Sequence, residues 1–525
     1  MNHQKAESKL NFFWIFSVVL VTGILSYRFP SATYLAQPFA EHATNYFVAG
    51  VIGNSNFMDF FLLKDYGYFV FLPRLVFFLA IKIFGYKAAF PLLTQYLAII
   101  LIAFFGSSLN SRSLRSLIPS DLARFFVGLF VSLHWGMGMY LFHNLGYYAV
   151  VIATVSIFFD WESWSYLKVF LFSSLIALAV ASKAYFVVFF PIFVVYLGFQ
   201  LKSKKWKSSL AAIPILVTLG LQIASISHGG GSSPPNLIGL ISRVFNFYLH
   251  SFGAVFWPFK MAPWRSLSFG ILMLILTAYL CWHRIKARDQ EGILFWVATL
   301  FIGLSASALT TLAFYGTSKV PLNDKPSFVD DSHHFFLMVS VFLGTIVLLL
   351  RRWTNKWIQI PIVIVFGFAS STFGYFMHLE PRSDDPYRNP LLSSANWPSY
   401  GSLLDSTDYC IPINPGGWYL LKDCSPLKAA FAKRGSFLEM ESPDGPRKLR
   451  AVGFENKNLE FKKPISTLVR QSGSSQVVKE MSLPGSVFRY FVLPTKVNLP
   501  ISLQFFDSDK RLDISPDRII LFGSS

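Results

Sequence analysis

Charge is scarce in this chain: Asp, Glu, Lys and Arg make up 14% of 525 residues, and acids are the scarcer kind, 28 Asp and Glu against 46 Lys and Arg. So little charge could not coat a soluble body of this size. Cysteine is rarer still, and the three present are too few for a disulfide scaffold or a zinc cluster. No GxSxG, HExxH or CxxC occurs, which leaves hydrolase, zinc-peptidase and dithiol chemistry without a nucleophile or ligand set. The glycine run GGGSSPP at 229–235 has no Lys-Ser/Thr ending and no strand before it, so it reads as a flexible loop and not as a phosphate cradle. Internal repeats and low-complexity tracts are absent as well.

Apolar residues are abundant: 53% are hydrophobic, 17% aromatic, and the mean hydropathy is +0.47. Runs long enough to cross a bilayer fall at 11–28, 87–107, 122–141, 145–160, 165–181, 184–201, 209–227, 266–283, 292–314, 334–351 and 358–377, predicting an α-helical polytopic membrane protein of about eleven spans. Lys5 and Lys9 precede the first run with no small-residue cleavage site, which reads as an uncleaved first span. The apolar piece at 73–85 is short for a span. With the N-terminus inside and that piece lying in the outer interface, every basic turn (Arg112 and Arg115, Lys168, Lys202 to Lys207, Arg284 to Arg288, Arg351 to Lys356) falls on the cytoplasmic side. The net charge of +18 is thereby spent on topology and anionic lipid, and no nucleic-acid partner is implied.

The chain divides into a membrane domain over 1–377 with an outer loop at 29–86, an extracytoplasmic linker over 378–434, and a region over 435–525. In this last region apolar and polar residues alternate between Gly, Pro and Asp turns, predicting a small extracytoplasmic β domain. Cys410 and Cys424 flank IPINPGGW and could pair there. An aromatic, amphipathic piece is expected over 243–265 in an outer loop.

Polar groups gather in the outer loop, where AEHATNYFVAG precedes KDYGYFVFLPR. Glu41, in a segment with helical potential at 38–51, suits a general base if partly shielded from water, and a surface glutamate if not. Asp65, Tyr66 and Tyr68 could line a sugar site, or the tyrosines could belong to an interfacial belt. His143 and Asn144 lie at the outer mouth between two spans, where helix-to-helix hydrogen bonding is the simpler account. Asp330, Asp331, His333 and His334 form the densest ionisable cluster, but consecutive neighbours rarely converge on one ion.

An acidic residue just after the first span, a polar stretch, and then Tyr-Gly-Tyr…Pro-Arg-Leu at the interface resemble the first outer loop of bacterial polytopic proteins with the GT-C glycosyltransferase architecture. HNLGYY near Asn144, SKAYFVVFFPIFVVYL at 182–197, HHFFL before the tenth span and CIPINPGGW extend the likeness over about residues 10–420. The resemblance implies an inner-membrane enzyme that takes sugar from a polyprenyl-phosphate donor and passes it to an extracytoplasmic glycan or lipid, with Glu41 as the base. His42 stands where the group has a second acid, so neither a metal nor another cofactor is expected. Arg74 and Lys183 suit the donor phosphate, or else snorkel to the interface. His334 occupies a position that is more often arginine in the group, which suggests phosphate contact when protonated. His42, Asp65, Tyr66, Tyr68, His143 and Asn144 are the expected substrate contacts. The rival readings are a transporter or flippase of lipid-linked glycans, which should carry ionisable groups midway through its spans, and a non-catalytic envelope assembly protein.

Overall fold

In a computed structural model, the described residues are 12–28, 45–47, 50, 56–65, 67–85, 90, 92–133, 142–226, 237–256, 263–313, 339–352, 357, 359, 361 and 364. In the tail they are 412–413, 418–419, 425–427, 430–434, 437–441, 448–455, 465–471, 474–479, 488–507 and 510–524. The chain forms two compact units. One holds residues 1–28, 61–75 and 97–379, and the other holds 29–60, 76–96 and 380–525.

The first unit is a helical bundle. The α-helices among the described residues are α1 (Phe12–Arg28), α2 (Phe57–Leu62), α3 (Phe71–Phe84), α4 (Leu92–Ser107), α5 (Asp121–Leu133), α6 (Ala149–Ser156), α7 (Tyr166–Val180), α8 (Phe189–Lys202), α9 (Trp206–Ser225), α10 (Leu237–Phe256), α11 (Pro263–Lys286), α12 (Gln290–Ala313) and α13 (Val339–Arg352). Among the described residues, five stretches are long and apolar enough to cross a membrane: Leu92–Asn110, Ala184–Lys202, Trp206–Ser225, Leu267–Lys286 and Gln290–Leu312. Their outward faces are large and apolar, with Phe199, Val217, Leu272 and Ile275 all exposed. A water-facing surface does not carry such a coat, and a lipid-facing one requires it.

Two apolar stretches are built in an unusual way. The predicted run at 145–160 is a 3-10 helix (Phe142–Tyr148) continuing into α6, and α8 is preceded by a 3-10 turn (Ala184–Val188). The tighter winding rises about 2.0 Å per residue, so 142–156 reaches roughly 26 Å and comes close to crossing the hydrocarbon despite its length. Small residues let helices approach closely: a side chain at Gly344 would strike Thr299 of α12. The piece expected over 243–265 begins earlier, as α10, which buries Phe247, Tyr248 and Phe252 and lies against α11 and α12. The short apolar piece is the 14-residue helix α3, about 21 Å long, buried along Leu72, Val76 and Ala80 with Leu79, Ile83 and Phe84 exposed.

One end of the bundle is tied by charge. Arg351 of α13 grips Asp289 with two nitrogens, Nε donating to Oδ2 at 2.6 Å, while the same guanidinium donates to the carbonyls of Ser116 and Leu117 (3.0 Å). Asp289 Oδ1 also accepts from the Gly292 N–H at 3.2 Å, capping α12. Nearby, Trp164 Nε1 donates to Ser113 Oγ at 3.1 Å, and the Lys207 ammonium donates to the Glu162 carbonyl at 2.8 Å. The basic turns around residues 112–121, 160–168, 203–208 and 284–289 are thus linked through α13 and through the 160–168 turn.

The second unit carries a β region of two antiparallel sheets. Its strands follow β1 (Lys64–Asp65) and β2 (Tyr68–Phe69) of the outer loop and are β3 (Pro412–Ile413), β4 (Trp418–Tyr419), β5 (Ser425–Leu427), β6 (Ala430–Arg434), β7 (Phe437–Glu441), β8 (Lys448–Glu455), β9 (Ile465–Gln471), β10 (Ser474–Lys479), β11 (Phe488–Asn498), β12 (Ile501–Asp507), β13 (Lys510–Leu512) and β14 (Ile519–Ser524). One sheet runs β10-β9-β12-β7-β6 with β13 also on β12, and the other runs β11-β8-β14-β5. Alternation along β9 and β12 turns Ile465, Val469, Ile501, Leu503 and Phe505 inward, where Phe505 meets Phe454 and Phe491 of the other sheet at 5.3 and 5.6 Å. Strands β5 and β6 fall inside the stretch that reads as linker in sequence. So do β3 and β4, which pair with each other; β5 is recruited by the distant β14, and β6 by its neighbour β7. Cys410 and Cys424 lie outside the described residues, and Cys281 is a buried free thiol.

Burial raises the Asp289 carboxyl, but hydrogen bonds from Arg351 and Gly292 and the charges of Arg351 and Arg284 outweigh it and hold the group below its ordinary value. Stability from a depressed carboxyl is present above its unfolded pKa of about 3.9 and is lost as pH falls through the folded value. Asp289→Asn should lower the stability of the detergent-purified protein by about 2 kcal/mol at pH 7 and flatten its acid loss below about pH 4. Thermal unfolding across pH measures both effects.

Candidate functional site

The opposite end of the bundle receives the segment from residue 64 to residue 74. Strands β1 and β2 form a hairpin pairing Lys64 with Phe69 and Asp65 with Tyr68. The reversal needs Gly67 at φ 85°, a conformation that costs glycine nothing. The end of α9 clamps this hairpin. The Gln222 carboxamide accepts from the Phe69 N–H at 3.0 Å and donates to the Phe69 carbonyl at 3.1 Å, and Lys64 Nζ donates to the Ser225 carbonyl at 3.3 Å. A buried glutamine at the end of an apolar helix is costly unless both halves of its amide are used, and here both are.

Two residues on, α3 begins. Its Leu72 N–H donates to Ser182 Oγ at 2.8 Å, and that hydroxyl donates to the Leu178 carbonyl at 2.7 Å. Ser182 sits where α7 has ended and the 3-10 turn before α8 has not begun, so its side chain satisfies one of the orphan N–H groups at the start of α3. This single bond brings KDYGYFVFLPR against SKAY. Arg74 follows in the first turn of α3, 1% exposed, and Lys183 follows Ser182, 8% exposed.

The third segment to arrive is HNLGYY. A Cβ at Gly146 would lie 2.8 Å from Ser182 Cβ and 3.2 Å from Lys183 Cγ, a backbone approach that only glycine permits. The approach places Lys183 Nζ 4.7 Å from the centre of the Tyr147 ring. Tyr147 lies 6.5 Å from Tyr185, centre to centre, and Tyr185 hydrogen-bonds Thr310 of α12. Asn144 is buried and His143 is half-buried beside Phe142. The outer-loop return, the 142–148 turn, the 182–185 break and the ends of α9 and α12 therefore converge, with two buried cations and three tyrosines (Tyr68, Tyr147 and Tyr185) among them. Out of water the attraction between the Lys183 ammonium and the Tyr147 ring is stronger than it would be at an exposed site.

Of the residues singled out in the sequence, Arg74, Tyr68, His143, Asn144 and Lys183 belong to the segments that meet here, and Asp65 is placed by its backbone pairing with Tyr68. Glu41, His42, Tyr66 and His334 lie outside the described residues, as do Asp330, Asp331 and His333. The described part of 38–51, residues 45–47 and 50, includes the buried Tyr46 and Phe47. Among the described residues no three His, Cys, Asp or Glu side chains could share a metal ion.

Sequence reading passed over Gly146, Ser182 and Gln222. Gln222 did leave a signal, as the one carboxamide in the apolar run 209–227. Gly146 and Ser182 left none, because their role is to touch.

Gly146→Val should force the 142–148 turn away from Ser182 and destabilise the purified protein by roughly 1–3 kcal/mol, with Gly146→Ala costing less. Thermal unfolding in detergent, with crosslinking between cysteines introduced at 147 and 185, reads both the cost and the separation.

Comparison with protein-family models, curated proteins and solved structures returns no match for this chain.

Proposed function

We propose that the protein is a polytopic glycosyltransferase of GT-C type that moves a sugar from a polyprenyl-phosphate donor to an extracytoplasmic glycan or lipid. The observation that carries this reading is the Ser182 junction, which brings the segments of Arg74 and Lys183 to one end of an apolar bundle, with Lys183 over Tyr147. A lipid phosphate presents its charge at that depth, close to the chain ends of the helices, and a sugar linked to it meets aromatic faces.

The reaction is a displacement at the anomeric carbon. The acceptor hydroxyl loses its proton to Glu41 as its oxygen bonds to the sugar, the bond to the phosphate oxygen breaks, and the polyprenyl phosphate leaves with the electron pair. Arg74, Lys183 and a protonated His334 stabilise the charge that develops on the phosphate. His42, Asp65, Tyr66, Tyr68, His143 and Asn144 surround the sugar. The buried cations lie at helix ends and not midway along spans, which favours this reading over a transporter. With the N-terminus in the cytoplasm and about eleven spans, the loop 29–86 and the β region stand outside the inner membrane.

Mass analysis of surface glycans and lipid-linked sugars in a strain lacking the protein should show a missing sugar and an accumulated donor. An unchanged profile overturns the transferase reading. Complementation with Glu41→Gln should reduce transfer by about 100-fold or more, and with Lys183→Met by about tenfold to a hundredfold, at normal levels of membrane-inserted protein. Full transfer by Glu41→Gln removes Glu41 from the chemistry.

A further inference from the structure

The β region contains a cavity of about 250 Å³ with a definite structural origin. Strand β12 is paired along one whole edge with β9, from Ser502 opposite Arg470 to Asp507 opposite Ile465. Its other edge is shared by two strands. β7 pairs with it from Ile501 opposite Met440 to Leu503 opposite Leu438, and β13 pairs with it from Phe505 opposite Leu512 to Asp507 opposite Lys510. Continuing the first register would bring Phe437 opposite Gln504, and continuing the second would bring Asp513 to the same place. Two chains cannot occupy one position in a sheet whose strands lie about 4.8 Å apart, so both ladders stop and the chains splay. The gap they leave is the cavity. Phe437, Leu438, Gln504, Arg511, Asp513 and Ser515 line it.

The lining is divided by chemistry. Phe437, Leu438 and their neighbours from the core give an apolar wall, while a carboxamide, a guanidinium, a carboxylate and a hydroxyl stand around it, next to a sheet edge where a ladder has ended. Arg470 stacks on Phe437 at 4.2 Å, which holds that ring in place. Arg511 and Asp513 give the rim one charge of each sign, which singles out no anion or cation, and the polar side opposes a lipid tail. A pyranose ring matches both halves, since its C–H face is apolar and its rim carries hydroxyls that donate and accept. The volume lies just below the usual range of about 300–1,000 Å³ for ligand pockets, which suits a single ring and not a length of chain.

We propose that this notch binds one sugar residue of a glycan and serves as the acceptor-holding subsite of the protein. The inference rests on the transferase reading for its acceptor role. Binding itself does not, because the site is contained in the β region.

The test is saturation-transfer NMR on the full-length protein in an amine-oxide detergent, which carries no sugar. The probes are the methyl glycosides of glucose, galactose, mannose and N-acetylglucosamine, together with a glucan tetrasaccharide. Saturation should reach the ring C–H protons of at least one methyl glycoside and, in the tetrasaccharide, concentrate on a single residue. Gln504→Ala and Asp513→Ala should each weaken binding by about fivefold, the loss of one hydrogen bond, with the thermal unfolding of the protein unchanged. Should either variant fail to fold, Ser515→Trp, which fills the notch from its exposed rim, is expected to abolish the signal. Transfer to none of the probes, or transfer that survives these substitutions, overturns the proposal. Saturation transfer needs no turnover, so an unchanged glycan profile in the strain lacking the protein bears on the transferase reading alone.

Discussion

A backbone N–H within reach of hydrocarbon must find an acceptor, since no water is there to replace one. The return of the outer loop into the bundle is solved under that constraint. The Phe69 backbone uses both halves of the Gln222 carboxamide, and the Leu72 N–H uses the Ser182 hydroxyl. These bonds do more than satisfy polar groups. Because Lys183 follows Ser182 and Arg74 follows Leu72 in the chain, pairing the two backbones also brings two buried cations to one end of the bundle.

The two ends of the bundle use charge in opposite ways. At one end, arginines meet carboxylates and carbonyls: Asp289 takes Arg351 while capping α12, and Glu162 accepts from Ser208. Charge there is matched within the protein and serves to tie turns together. At the other end cations meet aromatic rings, the buried Lys183 over Tyr147 and the exposed Lys64 over Phe69 at 5.6 Å. The 3-10 winding at 142–148 and 184–188 accompanies this end, where helices tighten so that a glycine can approach a serine backbone.

The β region follows different rules, with water as its solvent and alternation as its code. Its core rests on strands that turn every second residue inward, and the ladder on one edge of β12 breaks at Gln504 because two strands claim that edge. In a small sandwich with a continuous core such a notch is the natural place for a ligand, because it opens polar edge groups beside an apolar wall without dismantling either sheet.

Much of this could be read from residues alone. Apolar runs foretold most of the helices, the spacing of Lys and Arg grouped turns that the Asp289 and Glu162 contacts link in space, and alternation after 435 announced strands. Residues 425–434 could not be read that way, because short strands take their limits from what they pack against. Arg74, Lys183 and Asn144 drew attention as polar residues in apolar surroundings. Gly146 and Ser182 did not, since a small residue in an apolar run looks the same whether or not anything touches it. The sequence by itself determined that this chain lies in a membrane and ends in a β region, because hydrophobicity and its period are local quantities summed along the chain. Tertiary structure alone decided which loops share an end, which cations are buried together and where the sheet opens, because each of these depends on contacts between residues far apart in sequence.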